Sequence, residues 1–194
     1  MHTYTERQKE IIEVSIQLIA EKGIQQLTIR NLSKRIGISE PAIYRHFESK
    51  LDILLAILSH FKTSNKETVK HIKSMDRTAI EKIEMMFLSH FERFVEKPAL
   101  AAVIFSEEIF QNDKRLSKQV AAIMKLNQDA VSTLILLGQQ NSEIRKDIPE
   151  EQLSLILLGA LRLIVKKWQL SDHSFNLLTE GTALWQSIKK IIEH

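Results

Sequence analysis

The chain has 194 residues, no cysteine, five glycines, three prolines and a formal net charge of +3. Without thiols, a disulfide framework and thiolate zinc sites are excluded, and the seven scattered histidines suggest no metal centre. The start of the chain is polar with no signal-peptide pattern. The longest apolar run, 153–165, is interrupted by Ser154 and Arg162 and is shorter than the ~20 residues of a membrane span. A soluble, cytoplasmic protein is expected.

Helix formers dominate and no stretch keeps a period of two, so the pattern predicts an all-α chain of about nine helices. A first helix is expected over 5–22, burying Ile11, Ile12, Leu18 and Ile19 and stopped by Gly23. Thr28 then caps a short helix with Leu32 and Ile36 on one face, and Gly37 ends it. Ser39 opens a second short helix, with Pro41 tolerated in its first turn. There Ile43 and Phe47 face the core, while Tyr44, Arg45 and His46 face outward. Ser49-Lys50-Leu51-Asp52 fits a Ser-x-x-Asp cap and starts a long helix to about 73. Two short helices around a glycine turn form the unit that seats its second helix in a DNA major groove.

Charge supports this. Over 25–50, five basic side chains (Arg30, Lys34, Arg35, Arg45, Lys50) face two acidic ones (Glu40, Glu48), so this segment alone holds an excess equal to that of the whole chain. Local cationic surface of this kind binds DNA by counterion release, although a solvated helix face with no partner has the same composition.

Further helices are expected over 76–96 with Asp76 as cap, 98–110, 113–140, from Pro149 to the break at Ser171-Asp172, and from there to about 192. In the last helix Leu177, Gly181, Leu184, Ile188 and Ile191 make one apolar row, and Leu178, Trp185 and Ile192 a second. The helix before it is apolar nearly all round. Such a pair suits either an internal core or a four-helix interface between two copies.

Thr28-Ile-Arg-Asn-Leu-Ser, Gly37-Ile-Ser and Ala42-Ile-Tyr-Arg-His-Phe-Glu-Ser-Lys50 together resemble the DNA-binding signature of the TetR/AcrR family of transcriptional regulators. The resemblance covers roughly residues 8–55. It implies a helix-turn-helix DNA-binding domain over 1–48 and a helical effector-binding and dimerisation domain over 49–194. Carried over by position, Thr28, Ser39, Tyr44, His46 and Lys50 would contact phosphates, and Arg30, Glu40, Pro41, Ala42 and Arg45 could approach base edges. Glu40 is unusual there; it either reads a base or simply stabilises a helix N-terminus.

The family implies an effector cavity among the middle helices. Phe87, His90 and Phe91 on one helix, Phe105 and Glu108 on the next, and Met124 and Asn127 on the long one are its expected lining. The family also dimerises through its last two helices, which nominates Leu158, Arg162, Leu177, Leu184 and Ile188 for the interface; Arg162 could instead anchor an anionic ligand. The expected partners are an operator in double-stranded DNA, a largely apolar small-molecule effector and a second copy, with no membrane and no cofactor. No nucleophile–base spacing or glycine-rich phosphate loop argues for an enzyme. The function expected is a repressor released from its operator by a ligand. A ligand-independent DNA-binding protein, or a ligand-binding protein with a vestigial head, is the alternative.

Overall fold

A computed structural model describes residues 4–105 and 113–193. Among these it has nine α-helices: α1 (Glu6–Lys22), α2 (Ile29–Ile36), α3 (Glu40–Tyr44), α4 (Lys50–Ser74), α5 (Ala79–Glu96), α6 (Pro98–Ile104), α7 (Lys114–Gln140), α8 (Glu150–Leu170) and α9 (Leu177–Ile192). One turn of 3-10 helix, Ile24–Gln26, joins α1 to α2.

The chain forms two compact units. One comprises Met1–Lys62 with Lys97–Val120, the other Thr63–Glu96 with Ala121–His194. This differs from the boundary at 48/49 expected from sequence. The reason is that α6 packs on α1, where the Lys97 ammonium lies 3.4 Å from the Glu13 carboxylate, and that the first half of α4, to Lys62, falls in the same unit. Helices α4 and α7 each run unbroken from one unit into the other.

In the first unit the helix ends follow local chemistry. Thr5 and Gln8 form a reciprocal capping box on α1. The Thr28 hydroxyl accepts from the Asn31 amide at 3.0 Å; a cap of this kind stabilises by about 1 kcal/mol. Gly37 adopts φ 79°, ψ 31°, the left-handed conformation that lets its own amide and that of Ile38 return to the Ser33 carbonyl. The Ser49 hydroxyl pairs with the Asp52 carboxylate at 2.8 Å and accepts from its amide, as the Ser-x-x-Asp pattern predicts. Ile11, Ile19, Leu27, Leu32, Ile43, Ile53 and Leu58 are sealed inside.

The second unit is built on α5. Its start is capped not by Asp76 but by Thr78 and Glu81, whose side chains and amides bond reciprocally, and by the Glu143 carboxylate, which accepts from Ala79 N at 2.8 Å. Helix α9 packs on α5 closely enough that a Cβ at Gly181 would run into the Phe91 ring. Trp185 is buried completely beside Phe87. By length and composition α7 is the one described helix apolar enough to cross a membrane, its most apolar 18 residues averaging a hydropathy of 1.3. Within the second unit, however, it buries Ile123, Ala130, Val131, Leu134 and Ile135.

Candidate nucleic-acid interface and effector site

Ile43 fixes the orientation of α3. It is fully buried, so the flanking Glu40, Pro41, Tyr44 and Arg45 stand exposed around it, while Ala42 and His46 are half-buried. On α2, Arg30 and Lys34 are exposed four residues apart, on one outer face. Lys34 was counted in the cationic excess but not assigned a DNA contact from sequence, although its spacing from Arg30 is the signal that finds it. Gln8 of α1 donates to the His46 carbonyl at 3.3 Å and so ties the end of α3 to the first helix.

Not every cation expected here is free. The Arg35 guanidinium makes a two-pronged contact with the Glu21 carboxylate, one arm at 2.8 Å, which lowers the Glu21 pKa from its ordinary value. Lys50 is half-buried and donates to the Ile24 carbonyl at 3.1 Å, and burial lowers its pKa. The Lys50 ammonium thus braces the 3-10 turn against the start of α4. The Thr28 hydroxyl is engaged in its cap while its side chain remains exposed, and Ser39 precedes α3 without a side-chain cap bond.

In the second unit Ile83, Met86, Phe87 and His90 of α5 face Asn127 and Val131 of α7 and Leu157, Leu158 and Leu161 of α8 across a void of about 10 Å³. Of the expected lining, Phe87, His90 and Asn127 are there. Phe91 is not: it is buried, but its ring meets Gly181 of α9 and the edge of Phe87, 5.0 Å away between centroids. Met124 is 53 % exposed, because the buried row of α7 runs through Ile123 and not its neighbour. Phe105 belongs to the first unit, and Glu108 lies outside the described residues.

Polar groups also meet at this void. His90 is 8 % exposed and its Nδ1 lies 2.7 Å from the Met86 carbonyl. Burial lowers its pKa; the Met86 carbonyl opposes this, Arg93 adds to it and the Asn127 side chain opposes it. Asn127 Oδ1 accepts from Asn65 Nδ2 of α4 at 2.6 Å. Asn65 was missed in the sequence, yet it interrupts the apolar row Phe61, Val69, Ile72 at helical spacing, which is the signature of a buried polar residue with a purpose.

Two expected dimer residues prove to be internal. Leu177 is 1 % and Ile188 5 % exposed, on the side of α9 that includes Gly181, Trp185 and Ile192 and packs on the protomer itself. Leu158 borders the void and is half-buried, as are Arg162 and Leu184. On the last two helices the large apolar side chains in solvent are instead Leu155, Ile156, Leu163 (70 %) and Leu170 (77 %) of α8, with Leu178 and Ile191 of α9. Gly159 lies between Leu155 and Leu163 on this face, with no neighbour within 4 Å of where its Cβ would be.

The family profile described as "Bacterial regulatory proteins, tetR family" matches residues 11–57, and that described as "YsiA-like protein, C-terminal region" matches 56–192. The fatty acid metabolism regulator protein of Bacillus subtilis is 23 % identical over 169 residues, 87 % of each chain. The structure of the fatty acid degradation regulator FadR of Bacillus halodurans superposes with a TM-score of 0.84 at 19 % identity, over 96 % of each chain. That of FadR from Bacillus subtilis in complex with stearoyl-CoA gives 0.80 at 23 %, over 93 % of this chain and 96 % of the other. With the first profile spanning the helix-turn-helix and the second covering most of the remaining helices, the chain belongs to the TetR family and is a DNA-binding transcriptional regulator.

Proposed function

We propose that this regulator is a homodimeric, cytoplasmic repressor that leaves its operator when a molecule with a long apolar chain, of the fatty-acyl thioester class, enters the second unit. The observation that carries the reading is the apolar void itself, bordered by Phe87, Val131 and Leu157 and linked through Asn127 to Asn65 on α4. As it stands the void admits one water-sized group. A chain can enter only if α5, α7 and α8 part, and that movement displaces Asn127 and pulls on the helix that starts at the DNA-binding head. The ligand therefore prefers a body conformation other than this one, and only that preference can shift the population away from the DNA-bound form. The regulators of fatty acid metabolism among the relatives support the choice of ligand class.

At the DNA, Arg30, Arg45 and Glu40 are assigned to base edges, with Pro41 and Ala42 near thymine methyls. Thr28, Ser39, Tyr44, His46 and Lys50 hold phosphates. Two heads reading successive major grooves, about 34–36 Å apart, need a second copy. The exposed apolar face of α8 and α9 offers the surface for it.

The test begins with selection of an operator from random DNA, followed by fluorescence anisotropy with and without stearoyl-CoA. The expected result is an operator affinity lowered about tenfold or more, with a weaker response in Asn65→Ala. An affinity unchanged by any acyl thioester would leave a ligand-independent regulator.

A further inference from the structure

Along most of its lining the void among α5, α7 and α8 is apolar; His90 and Asn127 are the exceptions. His90 Nε2 is buried with no partner at hydrogen-bond distance, while the Asn127 side chain stands near enough to the ring to act on its pKa. The other ring nitrogen, Nδ1, sits 2.7 Å from the Met86 carbonyl. A carbonyl oxygen only accepts, so Nδ1 carries the proton, and in the neutral ring Nε2 is then a lone pair waiting for a donor. Burial keeps the ring neutral by lowering its pKa. Asn127 is the mirror case. Its Oδ1 is occupied by Asn65 Nδ2, which leaves its NH2 group as the donor it can offer. Buried acceptors without donors are costly and rare, and they mark a place where something is missing.

We infer that the effector presents a hydroxyl group here, donating to His90 Nε2 and accepting from the Asn127 amide, with its apolar chain laid against Phe87, Val131 and Leu157. This rests on the reading of the second unit as the effector-binding unit, and it narrows the acyl chain to a hydroxyacyl chain, for which an aliphatic alcohol is the simplest probe. A hydroxyl is the smallest group that both donates and accepts, and a void of about 10 Å³ matches a single oxygen. A carboxylate only accepts; it would face the Nε2 lone pair with its charge stripped of water. An ester carbonyl or a methyl end leaves Nε2 as it is now.

Three probes of one chain length separate these cases: decan-1-ol, decyl methyl ether, which keeps the oxygen but lacks the O–H, and decanoate. Each is titrated calorimetrically into the full chain and into His90→Phe. The parent should bind the alcohol about tenfold or more tighter than the ether or the carboxylate. His90→Phe should bind alcohol and ether alike, at the strength with which the parent binds the ether. Equal binding of alcohol and ether by the parent overturns the inference and leaves the effector reading standing, a comparison that needs no variant to fold. Survival of the alcohol preference in His90→Phe overturns it as well. If none of the three binds, the inference falls, and the effector reading is decided separately by the acyl-thioester titration.

Discussion

In the first unit large apolar side chains are inside and charges outside; among the described residues Tyr44 is its one large apolar side chain in solvent. The second unit breaks this rule in both directions. It exposes Leu155, Ile156, Leu163 and Leu170 and buries Asn65, His90 and Gln139 besides Ser154, where the buried polar residues of the first unit are two serines, Ser15 and Ser33. Some of that burial is satisfied locally: Gln139 donates to the Arg145 and Ile148 carbonyls, and Ser154 bonds Ser132. His90 Nε2 and Trp185 Nε1 have no partner at hydrogen-bond distance. The contrast separates a head with no unpartnered buried side-chain atom among its described residues from a body with two and with an exposed apolar face, the features on which the proposed second copy and effector rest.

The exposed face is where the comparison breaks most easily. Leu163→Glu should turn a dimer into a monomer by light scattering without lowering the melting temperature, and should cost operator affinity about a hundredfold through lost avidity. A dimer that persists removes α8 from the interface. In the head, Arg45→Ala should cost about 1–3 kcal/mol in operator binding and relax specificity at one base pair, whereas Tyr44→Ala should weaken all sequences alike. Lys50→Ala is sharper, because Lys50 already bonds the Ile24 carbonyl. A salt dependence reduced by about 1 in slope assigns it to phosphate; a lower melting temperature with an unchanged slope makes it a brace only.

Gly181→Ala should destabilise by about 1–3 kcal/mol in denaturant titration, since the new methyl meets the Phe91 ring and α5 or α9 must shift. The smallest effect concerns His90. Its folded pKa is below the ordinary value of 6.5, so the unfolded chain takes up a proton first as the pH drops. The stability that neutral His90 supports is complete above that value and is lost as the pH falls through the window beneath it. His90→Phe should therefore show a flatter stability profile than the parent between about pH 7 and about pH 5. Parallel profiles would mean that His90 is not held neutral.

The head was legible because its determinants are neighbours in sequence. Thr28 caps its own helix, Gly37 ends it and Ser49 pairs with Asp52 three residues on. Glu143 could not be read as a cap for α5, because it reaches the amide of Ala79 from the far side of α7. Nor could Lys50 be read as a donor to Ile24. Phe87, His90 and Asn127 were nominated because the family resemblance implies a cavity among the middle helices, helical spacing serving only to choose among their residues. The same spacing brought in Phe91, whose ring turns to Gly181 of α9, and Met124, which is exposed.

By itself the sequence determined that the chain is helical, where most helices begin and end, and that a cationic helix-turn-helix opens it, since capping, turns and apolar period act over a few residues. Only the tertiary structure decided which side of α9 is core, and that side draws on both apolar rows: Leu177, Gly181 and Ile188 from one, Trp185 and Ile192 from the other. Both rows are apolar, and periodicity shows that a stripe exists without showing which side meets a neighbour. Gly181 against Phe91 and Trp185 beside Phe87 mark the inner side, on which Leu177 and Ile188 are also buried, while Leu178 and Ile191 stay outside.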